Sequence, residues 1–220
     1  MPKSFIIYLH HKTGGVDTVG SNLLVDVYTA PIPEGEIGLV LCPLRRAQIH
    51  ETKSQKQKHQ RYYVWKLLEY AAKNSFGLNA ETLNFSKDNN GKWSCSSFYF
   101  SLSHSGDAVA VAVSTKPVGV DLECTERTVS QNLAGTILTP AEQHQFSAIS
   151  QELQQRYLLE KWCAKESLFK AGNSPAFHPR KLETASGVWV QHLGIGNHTY
   201  CCAVAAENIS QIRLFQNIII

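Results

Sequence analysis

The sequence predicts an α+β fold made of two similar halves, on three observations. Short runs that read as strands stand at 23–29, rich in β-branched residues, and again at 199–206 and 211–216. Two longer stretches, 43–76 and 151–171, repeat apolar residues at helical spacing. The order strands, helices, strands occurs once in each half, without a residue-level repeat, and divides the chain into 1–117 and 118–220.

Taken in order, residues 5–9 and 23–29 read as strands. The loop between them contains Gly14, Gly15 and Gly20 but no Gly-Lys-Ser/Thr ending, so it is not a P-loop. Pro31, Pro33 and Gly35 punctuate the chain before an apolar run over 37–42. The helical pattern from Pro43 to Phe76 breaks near Thr52 to Ser54. Its Tyr62, Trp65, Leu68 and Ala72 recur as a core face, and Gly77 supplies a stop. Asn89-Asn90-Gly91-Lys92 is a turn signal. Strands follow at 98–102, 108–113 and 118–123 in a hairpin-like arrangement. Thr139-Pro140-Ala141-Glu142 marks a helix start, with Thr139 as N-cap, Pro140 at the first helical position and Glu142 completing a capping box. A helix over 151–171 ends at Gly172-Asn173 and Pro175, and 187–193, 199–206 and 211–216 are three more strands.

With 220 residues, 43% hydrophobic and 18% charged, the chain has the composition of a globular protein that can bury a core. No apolar run approaches the roughly 20 residues needed to cross a bilayer. The stretch 5–9 is too short for a signal-peptide core and is followed by His10, His11 and Lys12. A cytoplasmic protein without a membrane partner is expected. Its six cysteines include no Cys-x-x-Cys, which suits reduced thiols, and Cys201, Cys202 and His198 match no common zinc spacing. A net charge of +3, and a basic stretch without interleaved aromatics, argue against a nucleic-acid partner. In that stretch Arg45, Arg46, Lys53, Lys56, Lys58 and Arg61 are opposed only by Glu51. Such a run is either a solvated helix face or a phosphate-binding surface.

Three segments carry candidate chemistry. Ser103 and His104 are adjacent on a strand and point to opposite faces, so they do not form a nucleophile and base pair. In Val120-Asp121-Leu122-Glu123 the two carboxylates share one face while Leu122 faces the core. That pair is either a polar, solvated strand face or half of a cation site. In WCAKESLFK at 162–170, helical spacing puts Trp162, Glu166 and Phe169 on one face. The bland reading is an amphipathic helix with a Glu166 to Lys170 salt bridge, which at this spacing contributes about 0.3 kcal/mol. The sharper one is a metal and phosphate site walled by rings.

FSLSHS at 100–105, GVDLE at 119–123 and WCAKESLFK at 162–170, in this order, resemble the signature of the surfactin-type 4′-phosphopantetheinyl transferases, in the subgroup whose last motif reads Lys-Glu-Ser. The resemblance implies a pseudo-dimer of two α+β halves with the coenzyme A site in the cleft between them. It implies an Mg²⁺-dependent enzyme of the holo-[acyl-carrier-protein] synthase type. Such an enzyme moves the 4′-phosphopantetheine arm of coenzyme A to a serine of an apo acyl or peptidyl carrier protein and releases adenosine 3′,5′-bisphosphate. By matched positions Asp121, Glu123 and Glu166 would bind magnesium, with Trp162 and Phe169 packed in the core behind them. Lys170 would hold the pyrophosphate and Glu166 would serve as base, Glu142 being weakened for that role by its capping task. Ser103, His104, Lys92, Arg45, Arg46, Lys53 and Arg61 would contact coenzyme A, His104 at the 3′-phosphate. Lys165 is either a packing lysine or a phosphate contact. The carrier would belong to fatty-acid, polyketide or nonribosomal peptide synthesis, and the internal pseudo-dimer suits a monomer. The alternative is a non-enzymatic coenzyme A or carrier-protein binding module of the same fold.

Overall fold

The computed structural model describes residues 3–8, 23–89, 91–128, 130–172, 174, 176–184 and 187–220. The expectations for Leu9, for the glycines at 14, 15 and 20, and for Asn90, Asn173 and Pro175 lie outside the described residues. The elements are β1 (Lys3–Tyr8), β2 (Leu23–Pro31), α1 (Pro43–Glu51), α2 (Gln55–Phe76), β3 (Phe85–Lys87) and β4 (Trp93–Cys95). They continue with β5 (Tyr99–Ser105), β6 (Ala108–Ser114), β7 (Val118–Cys124), α3 (Ala134–Ile137), α4 (Pro140–Ala148) and α5 (Gln151–Ala171). The chain closes with β8 (Val188–Ile195), β9 (His198–Ala206) and β10 (Ile209–Gln216). No helix among the described residues is long and apolar enough to cross a membrane.

The helix boundaries follow local chemistry. Pro43 opens α1, and the chain leaves it extended at Thr52. The Ser54 hydroxyl then accepts the Gln57 N–H to start α2, which Gly77 ends at φ 69°, a left-handed conformation that costs glycine little. Thr139 and Glu142 form the expected capping box on α4.

Two sheets stack between helices. The larger runs β1-β10-β2-β6-β5 and the smaller β7-β9-β8. Side-chain parity divides their faces. On β6, Ala108, Ala110 and Ala112 meet the second sheet, while Val109, Val111 and Val113 meet α2. On β9, Tyr200, Cys202 and Val204 enter the same inter-sheet core, while Cys201 and Ala203 pack against Leu158, Leu159 and Cys163 of α5. The layers are therefore α2, large sheet, small sheet, α5. As expected, Trp65, Leu68 and Ala72 are fully buried on α2.

Two features depart from the hairpin reading. β5 and β6 do pair antiparallel, but β7 leaves them and pairs with β9 in the second sheet. β10 returns to the first sheet, parallel to β2 and antiparallel to β1, so a division at 117 leaves one strand of the second half hydrogen-bonded in the sheet of the first. Both pairings join residues far apart in sequence, which local patterning does not encode. The pair between the buried Asp26 on β2 and the half-buried Arg213 on β10, at 2.6 Å, fastens this return.

Candidate active site

Parity on β7 places the carboxylates. Val118, Val120 and Leu122 fill the inter-sheet core, so Asp121 and Glu123 point the other way, and both are buried. α5 brings Glu166 and Lys170 to the same place. The Lys170 Nζ donates to Asp121 Oδ1 at 2.6 Å and lies 3.9 Å from Glu166. This approach depends on Gly119, where a Cβ would stand 1.9 Å from the Ser167 carbonyl oxygen.

The edge strand β5 lies along β7, but its partners are serine hydroxyls and not its own backbone. The hydroxyls of Ser101, Ser103 and Ser105 accept the N–H groups of Val120, Leu122 and Cys124 at 3.0, 3.1 and 3.0 Å. Two of the hydroxyls also donate, Ser103 to Asp121 and Ser105 to Glu123, both at 2.9 Å. The alternating serines of FSLSHS thus join the two sheets and aim the two carboxylates. Replacing Ser101 with alanine leaves the Val120 N–H buried and unpaired, at a cost of about 1–3 kcal/mol. Urea unfolding should show that loss, and a midpoint equal to wild type would remove the ladder's structural role.

Each carboxylate already faces a cation. Glu123 accepts from Trp162 Nε1 at 3.2 Å and from Arg127 at 3.0 and 3.2 Å. Asp121 keeps its Oδ2 buried without a partner, a position suited to a cation ligand. Burial works against the Lys170 ammonium, yet the Asp121 carboxylate, with Glu166 behind it, outweighs that and holds its pKa above the usual lysine range. Burial also pushes the Glu166 carboxyl up from its ordinary value of 4.5; Lys170 opposes this, and the negative charges of Asp121 and Glu123 add to it. Three oxygen-donor carboxylates from a strand and a helix, one with an orphaned oxygen, suit a hard divalent cation such as magnesium. Among the described residues they are not gathered as a ready-made metal cluster.

The aromatic wall differs from expectation. Trp162 and Phe169 are half-buried rather than enclosed, Trp162 packing against the cluster of Leu158, Leu159 and Cys163. Their rings close on Phe177, at centroid distances of 5.5 and 5.2 Å, because the chain after α5 folds back beside the site. Lys165 is a packing lysine. It is fully buried, pairs with Glu142 at 2.7 Å and donates to the Pro179 and Leu182 carbonyls. Glu142 is correspondingly occupied: burial would raise its pKa, but its bonds to Lys165, Thr139 and Thr184 prevail and lower it.

Of the upstream basic residues, Arg45 is buried on α1, donating to the Arg61 carbonyl and Gln48 with its guanidinium over the Trp65 and Trp93 rings. Burial, and then Arg61, push its pKa down to about 9, which leaves it charged at neutral pH. Arg61 donates to Gln48 and Thr52. His104 projects from the opposite face of β5 to Ser103. Burial of its ring comes first, then the positive charges of Lys170, Arg45 and Arg61, in holding its pKa down from 6.5 to about 4. The residue nevertheless keeps an exposed side, which leaves it accessible to a solute. Lys92 reaches across to the Gly172 carbonyl beyond α5 at 2.8 Å. It lines a cleft of about 540 Å³ together with Phe100, Leu102, Phe169 and Lys170. Arg46 and Lys53 are exposed, and no contact among the described residues ties them to this cleft.

Residues 117–190, which carry Asp121, Glu123, Glu166 and Lys170, match the sequence model of the 4′-phosphopantetheinyl transferase superfamily. The match is confined to this segment, which is similar to that superfamily. Over 107 residues the chain is 31% identical to the 4′-phosphopantetheinyl transferase psf-1 of Bacillus pumilus and 29% identical to a 4′-phosphopantetheinyl transferase of Bacillus subtilis. Each match covers 47% of this chain, and 46% and 47% of the respective relatives, so the chain spans about half the length of the curated relatives it matches. The matched segment runs from β7 through α5 to the start of β8, the part of the fold that holds the acidic site. Ser103, His104, Lys92 and the basic residues of α1 and α2 lie before the superfamily segment. The Arg127 and Trp162 contacts to Glu123, and the position of Phe177, were not legible in the sequence; the proximity of Glu126-Arg127 to the strand was the only hint.

Proposed function

We propose that this protein transfers the 4′-phosphopantetheine arm of coenzyme A to a serine hydroxyl of an apo acyl or peptidyl carrier protein, releasing adenosine 3′,5′-bisphosphate. The observation that carries this reading is the convergence of Asp121, Glu123, Glu166 and Lys170 beside the Lys92 cleft, inside the superfamily segment. Asp121, Glu123 and Glu166 would hold Mg²⁺. When bound, the ion would supply charge neutralisation at the pyrophosphate oxygens.

The chain's own residues account for the rest. Lys170, kept protonated by Asp121, presents a positive charge to the leaving phosphate. Glu166, with its raised pKa, is placed to take the proton of the incoming serine. Trp162, Phe169 and Phe177 keep water from one side of the carboxylates, and Phe100 and Leu102 offer apolar contact to the uncharged arm. His104, with Arg45 and Arg61 behind it, would receive the 3′-phosphate. The reading extends to a pseudo-dimer of α+β halves with coenzyme A between them, and to a cytoplasmic monomer of the holo-[acyl-carrier-protein] synthase type without nucleic-acid or membrane partners.

Incubation with apo carrier, coenzyme A and magnesium should add about 340 Da to the carrier, the mass of the carried group. Coenzyme A binding without that mass across several apo carriers would leave a non-enzymatic module. For His104 the expected result is a titration near pH 4 in the free protein, moved upward by adenosine 3′,5′-bisphosphate, because a phosphate dianion opposes the field of the three cations. The imidazole resonances read this directly, and a midpoint indifferent to the ligand removes His104 from the phosphate site. In the free protein the unfolded chain takes up this proton near pH 6.5 while the folded chain does so only near 4. The stability that His104 supports is therefore present above pH 6.5 and is lost as pH falls through that window.

A further inference from the structure

Arg127 lies four residues beyond the Glu123 carboxylate, just after β7 ends, and the function proposed above leaves it without a task. Among the described residues its guanidinium makes two hydrogen bonds, both to Glu123, at 3.0 Å to Oε1 and 3.2 Å to Oε2. The partners are unequal: the Glu123 side chain is 11% exposed and that of Arg127 62%. The carboxylate is therefore fixed, by Ser105 and Trp162 as well, while the arginine can turn away into water without vacating a packed position. Its backbone bonds, from its N–H to the Cys124 carbonyl and from Gln155 to its own carbonyl, do not depend on the side chain.

Resting on the reading that Asp121, Glu123 and Glu166 hold the divalent cation, we propose that Arg127 is an exchangeable counter-ion that competes with that cation for Glu123. A buried carboxylate without a cation is costly, and two carboxylates on one strand face repel each other. Lys170 answers this for Asp121 and Arg127 for Glu123. The two situations differ in release. Lys170 is mostly enclosed and also faces Glu166, whereas Arg127 stands at the rim. The cation enters when the guanidinium leaves, so Arg127 sets the concentration of divalent ion at which the site fills.

The test is a calorimetric titration of Mn²⁺ into the intact protein in the presence of coenzyme A, for wild type, Arg127→Gln and Glu123→Gln. Removing an exposed competitor should tighten Mn²⁺ binding by about two- to fivefold in Arg127→Gln. Raised salt, which screens the ion pair, should narrow that gap. Glu123→Gln should weaken binding. Equal affinity in wild type and Arg127→Gln, with Glu123→Gln weakened, overturns the counter-ion role and leaves the ligand assignment standing. Unchanged affinity in Glu123→Gln overturns both. Thermal unfolding of Arg127→Gln in the absence of metal should fall below that of wild type, because the buried Glu123 carboxylate loses its counter-ion, and Mn²⁺ should restore it.

Discussion

Alanine at position 119 should separate α5 from β7 and take transfer activity with it. The added Cβ meets the Ser167 carbonyl oxygen at 1.9 Å and the Ala171 nitrogen at 2.6 Å, both backbone atoms of a helix that cannot rotate aside. Relief requires the helix to move outward, which opens its packing on Cys201 and Ala203 and shifts Glu166 and Lys170 from Asp121. Overpacking of this kind costs about 3 kcal/mol. A displacement of about 1 Å at a reacting centre can lower turnover on the order of 100-fold. Thermal unfolding should report the first and carrier modification the second. A variant with wild-type melting and turnover would mean that α5 does not rest on Gly119.

Asp121→Ala should abolish transfer while leaving a folded protein. Three groups lose their partner at once: the Lys170 ammonium, the Ser103 hydroxyl and the cation that Oδ2 would bind. The Ser103 hydroxyl keeps the Leu122 N–H, so the ladder between the sheets survives, and the inter-sheet core is untouched because Asp121 points away from it. Loss of one preorganised charge contact at a phosphoryl-transfer site lowers the rate on the order of 100- to 1000-fold. The measurement is turnover across a magnesium series, with circular dichroism as the fold control. Full turnover at limiting magnesium would show that Asp121 is not a ligand.

Much of the acidic site was legible because it is written in short-range periodicity. Two carboxylates at i and i+2 on a strand must share a face, and a helix presents Glu166 with Lys170 one turn on, so those expectations needed only parity and pitch. Thr139 and Glu142 were legible for a similar reason, since a capping box is complete within four residues. The remainder depends on contacts between distant segments. Lys165 is separated from the carbonyls it serves by 14 and 17 residues, and nothing in its own helix marks it as buried. The serines of β5 alternate like any exposed strand face, and only the arrival of β7 turns them into acceptors for another strand. Trp162 and Phe169 fit a core stripe by spacing, but Phe177 closes on them beside the acidic pocket.

The position of β10 carries a consequence for how the protein is made. It stands between β1 and β2, and the described residues of β1 pair with no other strand. During synthesis β1 therefore waits for its partner until residues 209–216 have left the ribosome. The large sheet closes only after the acidic site's own elements, β7 and α5, are already available. Such late, long-range closure favours slow folding and a dependence on chain completion. Loss of residues 209–216 would disable the protein through the sheet that carries none of Asp121, Glu123 and Glu166.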